Sequence, residues 1–474
     1  MISFKEYHSL KDQVREYLHS LNVCHYLGFD EDLIDCLATT LITKIQFGEN
    51  YNRSCFYYVL MNYASLIYNS IYGILFFRGY SDKRLFYKKN IFVQNRSLYN
   101  RTYRILPEID DSCAVYMPST SFKNMKKHLR QHKEAKNNVF IVKYNLHTIL
   151  AYSLCIIKIT PLLRKLLSSK NSQLDGSVRI NKLALVLILK YLTSYFACKD
   201  LYKRVTDKTL FIMEHDKCEN TLVLKKIRKE YNLHYRIGTL NHGAFYGFNL
   251  AYVCPISDFE LCTCERERKL VTNYSDIKES NVLPVGTPIQ SFDNGISYNY
   301  GRGINELLVL GTICSGEWYD IQVDLIKYLK ENGIPFKYRT RPGTAQYDMK
   351  KLEGILEKED YTKGTTLLED CANYQNIISF SLDALGMALR LERAIAIYLP
   401  PEVFNQFSPI GEGSKQVVIT SCISEVEGFI KGDKGESGYD KDTLRWIVAN
   451  FGELSFEKVI ENIKSALQVQ RKCC

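Results

Sequence analysis

The chain of 474 residues has no Cys-x-x-Cys pair matched by a second one. Its fifteen cysteines are odd in number and irregular in spacing, and Cys254, Cys262 and Cys264 cluster without a partner pair. That excludes a standard zinc frame and a disulfide framework. The N-terminus shows no secretory pattern, so the expectation is a reducing compartment with free thiols. Nothing recurs at the period of a solenoid or propeller repeat. Tryptophan is down to two residues, and the aromatic content is carried by 34 tyrosines and 23 phenylalanines. Long apolar runs are interrupted. Cys55–Phe77 is 23 residues without a charge, flanked by Arg53 and Arg78, but it holds Asn62, Asn69, Ser65, Ser70 and five tyrosines. Such a stretch is poor in hydrocarbon and reads as an internal helix or one lying in a membrane interface.

Hydrophobic residues make up 46% and charged residues 24% of the chain, which fits globular domains, and the length allows two or three with their own cores. The net charge of +10 is uneven: residues 51–250 hold 33 Lys/Arg against 12 Asp/Glu, and residues 251–474 hold 25 against 32. The first half is thus expected to face something anionic, such as a membrane surface or a lipid pyrophosphate. The basic residues are spread without a reader motif, so nucleic acid is not the expected partner.

The most informative stretch is Lys208–Phe245. A short apolar run (Leu210–Met213) precedes the turn Glu214-His215-Asp216. An amphipathic segment (Thr221–Tyr231) follows, and a second run (Tyr235–Leu240) ends at Asn241-His242-Gly243. This cadence predicts a βαβ unit on a parallel sheet. A second unit is expected from Cys113–Met117, the turn Pro118-Ser119-Thr120-Ser121, a basic helix Phe122–Lys136 and the strand Asn138–Tyr144. His128 and His132 share a face of that helix without an intervening acid and read as solvated. Leu146–Leu167 and Leu183–Ala197 are expected to form a helical layer on the sheet. Further strands are expected in 251–256 and 281–288.

Residues 291–304 hold three Asn/Asp and three Gly and read as an inter-domain linker. A second α/β domain follows. Its expected strands are Glu306–Leu310, Pro335–Tyr338, Ile377–Phe380, Ala394–Tyr398 and Val417–Ile419. Its expected helices are Tyr319–Asn332, Leu352–Lys358, Leu367–Tyr374, Leu382–Leu391, Leu444–Phe451 and Phe456–Gln470, with Glu392 and Arg393 as a surface pair. Polar residues after parallel strands sit at the sheet's carboxyl edge, where such folds bind ligands. On the first side these are Ser119, Thr120, Glu214, His215, His242 and Gly243. On the second side they are Gly311, Thr312, Arg339, Arg341, Ser379 and Ser381. Arginines there suit phosphate, and hydroxyls heading a helix suit an anion.

Four segments resemble the GT-B glycosyltransferases of bacterial surface polysaccharides, and within them the sialyltransferase-like, polysialyltransferase-like and CDP-glycerol glycerophosphotransferase-like proteins. They are Asn241-His242-Gly243, Val285-Gly286-Thr287-Pro288, KYRTRPG (337–343) and ISFSLDALGMALRLERAIAIY (378–398). The resemblance implies an α/β fold of two Rossmann-like domains facing a central cleft: 106–298 on the acceptor side, with a helical insertion at 146–200, and 299–474 on the donor side. An extra helical, Tyr-rich region would precede them at 1–105. It implies transfer from a CMP-, CDP-, UDP- or GDP-linked sugar to a lipid-linked or growing glycan, without metal or cofactor, at the inner face of the plasma membrane. His242 would be the base, with Glu214 and His215 as second choice. Arg339 and Arg341 would bind donor phosphate, and Ser379 and Ser381 phosphate or sugar. A polyol-phosphate transferase, a nucleotide-sugar epimerase and a degenerate binding protein share this architecture. The chain departs from the pattern at Arg341, where these families carry His, and lacks the acidic-acidic-Gly motif of the sialyltransferase-like groups.

Overall fold

The computed structural model describes residues 4–46, 55–76, 88–94, 102, 105–116, 138–142, 144–168, 177–213, 218–240, 255–286, 304–311, 317–340, 352–363, 366–380, 384–385, 388, 391, 393–401, 417–431 and 456–473. Two all-parallel sheets organise them. The first holds β1 (Asn90–Gln94), β2 (Ser112–Tyr116), β3 (Val139–Ile141), β4 (Leu210–Met213), β5 (Arg236–Leu240), β6 (Phe259–Cys262) and β7 (Val282–Pro284), in the order β3-β2-β1-β4-β5-β6-β7. The second holds β8 (Ile304–Leu310), β9 (Phe336–Arg339), β10 (Tyr374–Ser379), β11 (Ala394–Tyr398) and β12 (Val417–Thr420), in the order β12-β11-β10-β8-β9. The expected α/β architecture of two parallel-sheet domains is therefore present.

The strands of the first sheet are apolar on both faces, as a parallel sheet covered on both sides requires. Ile91, Val93, Cys113, Val115, Phe211 and Met213 enter one core. Their neighbours Phe92, Ala114, Tyr116, Leu210 and Ile212 enter the other. The first core is closed by α1 (Phe4–Ser20), α2 (Val23–Leu27), α3 (Glu31–Gln46), α4 (Cys55–Phe76), α5 (Leu146–Lys158), α6 (Thr160–Ser168), α7 (Ser177–Tyr202) and α8 (Glu219–Glu230). Helix α7 contains a stretch, Ile180–Tyr202, long and apolar enough to cross a membrane, yet 83% of its apolar window is buried inside the protein. A helix apolar on all sides is a core helix in that setting. Helices α5 and α6 bend by 62° at their junction, so the single expected segment is two.

The N-terminal helices are part of the first domain. Tyr17 on α1 donates to Asn181 on α7. Lys225 on α8 meets Asp32 at 3.1 Å, and Lys226 donates to the Gly28 carbonyl at 2.7 Å. Strand β1 also lies inside the region read as helical: Asn90–Gln94 is a central strand, paired with β2 on one side and β4 on the other. A three-residue apolar run between lysines and asparagine carries too little periodicity to be told from a loop.

The far side of the first sheet is covered partly by the end of the chain. Helix α13 (Phe456–Lys472) sets Val459, Ile460, Ile463, Ala466 and Leu467 against Leu210, Ile212, Phe259 and Leu261. Arg471 donates to the Asn90 side chain at 2.9 Å, and Gln470 to the Ser280 carbonyl at 3.3 Å. The boundary expected at 299–474 is thus crossed, since the last helix returns to the first domain. Helix α9 (Glu265–Tyr274) was not foreseen either.

In the second domain, α10 (Glu317–Glu331) ends at Gly333, whose φ of 63° makes the left-handed stop the sequence announced. Helix α11 (Leu367–Asn373) opens with a capping box between Thr366 and Glu369. Helix α12 (Ile423–Lys431) follows β12. The helix expected over Leu352–Lys358 does not form: Gly354 has φ 86°, and Leu352 and Leu356 fill the core from a turn. Arg393 is not on the surface. It is 2% exposed, and its guanidinium donates to the carbonyls of Cys371 (3.3 Å) and Ala372 (2.8 Å) at the end of α11. A cation on the last carbonyls of a helix satisfies orphan acceptors and the helix dipole together. The expected strand over 251–256 lies mostly outside the described residues, and the strand observed nearby is β6. The helical segments Phe122–Lys136 and Leu444–Phe451 and the linker 291–304 fall outside them, or nearly so, as does most of Leu382–Leu391.

Candidate functional site at the carboxyl edges

In an open parallel sheet, ligands bind beyond the carboxyl ends of the two strands at which the strand order reverses. In the second sheet that reversal falls between β8 and β10. Their register pairs Leu310 with Ser379, so Gly311 and Ser379 flank it directly. On the other side of β8, Leu310 pairs with Arg339, and the Gly311 amide donates to the Arg339 carbonyl at 2.9 Å. Three residues singled out in the sequence thus stand at the carboxyl ends of three adjacent strands, Gly311 just past β8 and Arg339 and Ser379 as the last residues of β9 and β10.

Each has a local reason. Gly311 is obligatory because a Cβ there would fall within the Tyr338 side chain. Tyr338 is fully buried, and its hydroxyl accepts from Gln322 Nε2 at 3.0 Å, so it has nowhere to retreat. Ser379 is 2% exposed and enclosed by protein. Arg339 forms an ion pair with Asp370 on α11, at 14% and 2% side-chain exposure. Its charge is compensated within the protein, so it fastens β9 to α11 and is not an open phosphate clamp. Thr312, Arg341 and Ser381 lie outside the described residues.

In the first sheet the reversal falls between β1 and β4, where Val93 pairs with Met213. Glu214 and His215 directly follow Met213 in sequence. His242 and Gly243 follow β5, the next strand, and Ser119 and Thr120 follow β2, the strand beside β1. All six lie outside the described residues, but the four strands involved are consecutive in the sheet. Two acids that the sequence reading passed over stand near this edge. Glu219 occupies the first turn of α8, is 7% exposed, and with burial contributes to pushing the Tyr144 phenol up. Glu267 is 1% exposed and accepts the Thr263 amide at 2.7 Å just after β6. The signal available for Glu219 was an acid in the first helical turn after a strand.

The opposite edge is tied by ion pairs. Arg228 forms a two-pronged pair with Asp258, whose carboxylate also accepts the Ile237 amide at 2.8 Å. A cavity of about 890 Å³ opens there, lined by Asp30, Lys225, Arg228, Lys229 and Asp258 among others. Its three acids are each paired, Lys229 with Asp30, Lys225 with Asp32 and Arg228 with Asp258, and Arg236 on the same wall is held by the Asp258 carbonyl at 3.1 Å.

Among the described residues, one group offers metal-ligand atoms together: His19, Cys24 and Glu31. Cys24 approaches His19 Nδ1 (3.5 Å) and Glu31 approaches Nε2 (3.3 Å), on opposite edges of the ring, and Arg15 also pairs with Glu31. The described cysteines are free thiols, and burial pushes Cys36, Cys113 and Cys371 up to about 12, far from reactive thiolates.

No protein-family model matches the chain, and neither does any curated protein. Solved structures do resemble its fold. The lipopolysaccharide outer core galactosyltransferase WaaB in its apo form superposes with a TM-score of 0.45 at 10% identity, covering 80% of this chain and 99% of that one. A UDP-N-acetylglucosamine 2-epimerase from Rickettsia bellii gives 0.46 at 12% identity, covering 81% and 97%. TarM gives 0.43 at 10% identity, covering 82% and 98%.

Proposed function

We propose that the chain is a glycosyltransferase that moves a sugar from a nucleotide-activated donor to a lipid-linked or growing surface glycan, on the cytoplasmic side. The observation that carries this reading is the second sheet's reversal point, flanked by Gly311 and Ser379 and followed by the Arg341 and Ser381 segments. A glycine forced by close packing, an arginine two residues beyond a strand end and a serine-rich turn are the parts a donor phosphate needs. The four resembling segments each include the carboxyl end of a strand or directly follow one, in both sheets.

In the reaction, the acceptor hydroxyl oxygen attacks the anomeric carbon while the carbon–oxygen bond to the nucleotide phosphate breaks. His242 takes the hydroxyl proton, with Glu214 and His215 as the alternative base, and Ser119, Thr120 and Gly243 on the acceptor side. The nucleotide leaves with the bonding pair, its charge met by Arg341, Ser381 and the Thr312 segment. Arg339 acts as a positioning residue through Asp370. Arg341, unlike the histidine of the resembling families, holds a charge but exchanges no proton at neutral pH, which assigns proton transfer to the first domain. No cofactor takes part, and the donor is a substrate.

Two substitutions test this. His242→Ala should slow sugar transfer by about 10²–10⁴-fold while leaving nucleotide affinity unchanged. Arg341→Ala should weaken nucleotide binding itself. Unchanged transfer in His242→Ala would remove the assigned base, and turnover of the donor sugar without any acceptor would point to an epimerase.

A further inference from the structure

Large hydrophobic side chains exposed on the described surface are twelve in number, and ten of them lie on two helices. On α4 these are Tyr57, Leu60, Met61, Ile67, Tyr68 and Ile71, and on α5 they are Leu146, Leu150, Leu154 and Ile157. The spacings of three, four and seven residues set each group along one helical stripe. The helices lie together: Asn62 on α4 donates to the Tyr152 hydroxyl on α5 at 2.6 Å, Tyr63 to Ser153 at 3.3 Å, and the Tyr63 and Tyr152 rings meet at 5.2 Å. Both pack inward on α7. They therefore form an outermost layer whose outer face is apolar, which a monomer in water does not keep without use.

Charge identifies the occupant. Helix α4 carries none, and α5 carries Lys158 at its end, exposed beside Ile157, with exposed Arg164 one turn into α6. In sequence, α4 is bracketed by Arg53 and Arg78, and residues 51–250 hold 33 basic against 12 acidic residues. An apolar stripe with tyrosines, bordered by lysine and arginine, matches the interface of an anionic bilayer, where hydrocarbon lies beneath negative headgroups. Helix α4 is held along its inner side by α7, so it lies flat in the interface and does not cross.

We infer that the outer face of α4 and α5 seats the protein on an anionic lipid bilayer, independently of what the carboxyl-edge site catalyses. The test is flotation of the purified full chain with vesicles of phosphatidylcholine alone or mixed with phosphatidylglycerol. The chain should float with the mixed vesicles, more weakly with the neutral ones, and less as salt is raised. Leu150→Glu/Leu154→Glu and, separately, Leu60→Glu/Ile67→Glu should each reduce binding by about tenfold or more with an unchanged melting temperature, because these side chains are exposed. Lys158→Glu/Arg164→Glu should abolish the preference for anionic vesicles. No flotation with either vesicle, equal flotation with both, or a dimer of the wild-type chain that these variants convert to monomer would each overturn the inference. The last would make the face a contact between copies.

Discussion

Asp370→Ala is expected to cost about 3–5 kcal/mol of stability, because it strands the guanidinium of Arg339 in a site built for a pair. Asp370 is 2% exposed and Arg339 14%, so water does little to replace the lost carboxylate. The helix itself does not account for the loss, because α11 is capped one turn earlier by Thr366 and Glu369, at 3.1 and 3.0 Å. Replacing both partners, as in Arg339→Met/Asp370→Leu, removes the stranded charge and should return stability to within about 1–2 kcal/mol of the wild type. Urea denaturation of the three proteins measures this. The double variant also separates two roles. As a positioning pair, Arg339 and Asp370 can be exchanged for apolar packing with nucleotide affinity retained. A folded double variant that has lost nucleotide binding would make Arg339 a donor contact after all.

The second large effect lies in the first sheet. Gly238 pairs with Phe259 across β5 and β6, and a Cβ on Gly238 would fall inside the Phe259 ring. That ring is fully buried and has the Arg236 guanidinium 5.6 Å from its centre. Gly238→Ala should therefore destabilise by about 3 kcal/mol, at the upper end of overpacking costs. Phe259→Leu alone should also destabilise, by opening space. In the Gly238→Ala background it should instead recover part of the loss, a coupling of about 1–3 kcal/mol in a double-mutant cycle. Additive losses would mean that the ring moves aside freely and the glycine is incidental.

These two sites show which parts of the fold can be read from a sequence. The unit from Leu210 to Leu240 was legible because two short apolar runs flank a charged amphipathic segment of helical length, and β4, α8 and β5 stand within two residues of the expected positions. The strand ends of the second domain were legible for the same reason, and Gly311, Arg339 and Ser379 fall at the ends of neighbouring strands. Central β1 was not legible, since Ile91-Phe92-Val93 gains its meaning only from β2 and β4 on either side. Nor was the return of α13 to the first sheet, because an amphipathic stripe such as Val459, Ile460, Ile463 and Leu467 says that a helix is covered, not by what. Leu352, Ile355 and Leu356 mimic a helical period, but Gly354 at φ 86° turns the chain. Arg393 looked like a surface charge because sequence does not reveal that the carbonyls of α11 need a donor. Arg339 was found as a site residue, but its carboxylate partner lies 31 positions away and was not.

The central claim is that the reversal point of the second sheet binds the nucleotide of an activated sugar. It is tested most directly by melting the purified chain in the presence of CMP, CDP, UDP, GDP and their common sugars. A ligand at a hundred times its Kd stabilises the native state by about 2.7 kcal/mol, a rise of several degrees in Tm. The account predicts such a rise with one nucleotide family and its absence in Arg341→Ala. A folded wild-type chain whose Tm is moved by none of them would contradict it.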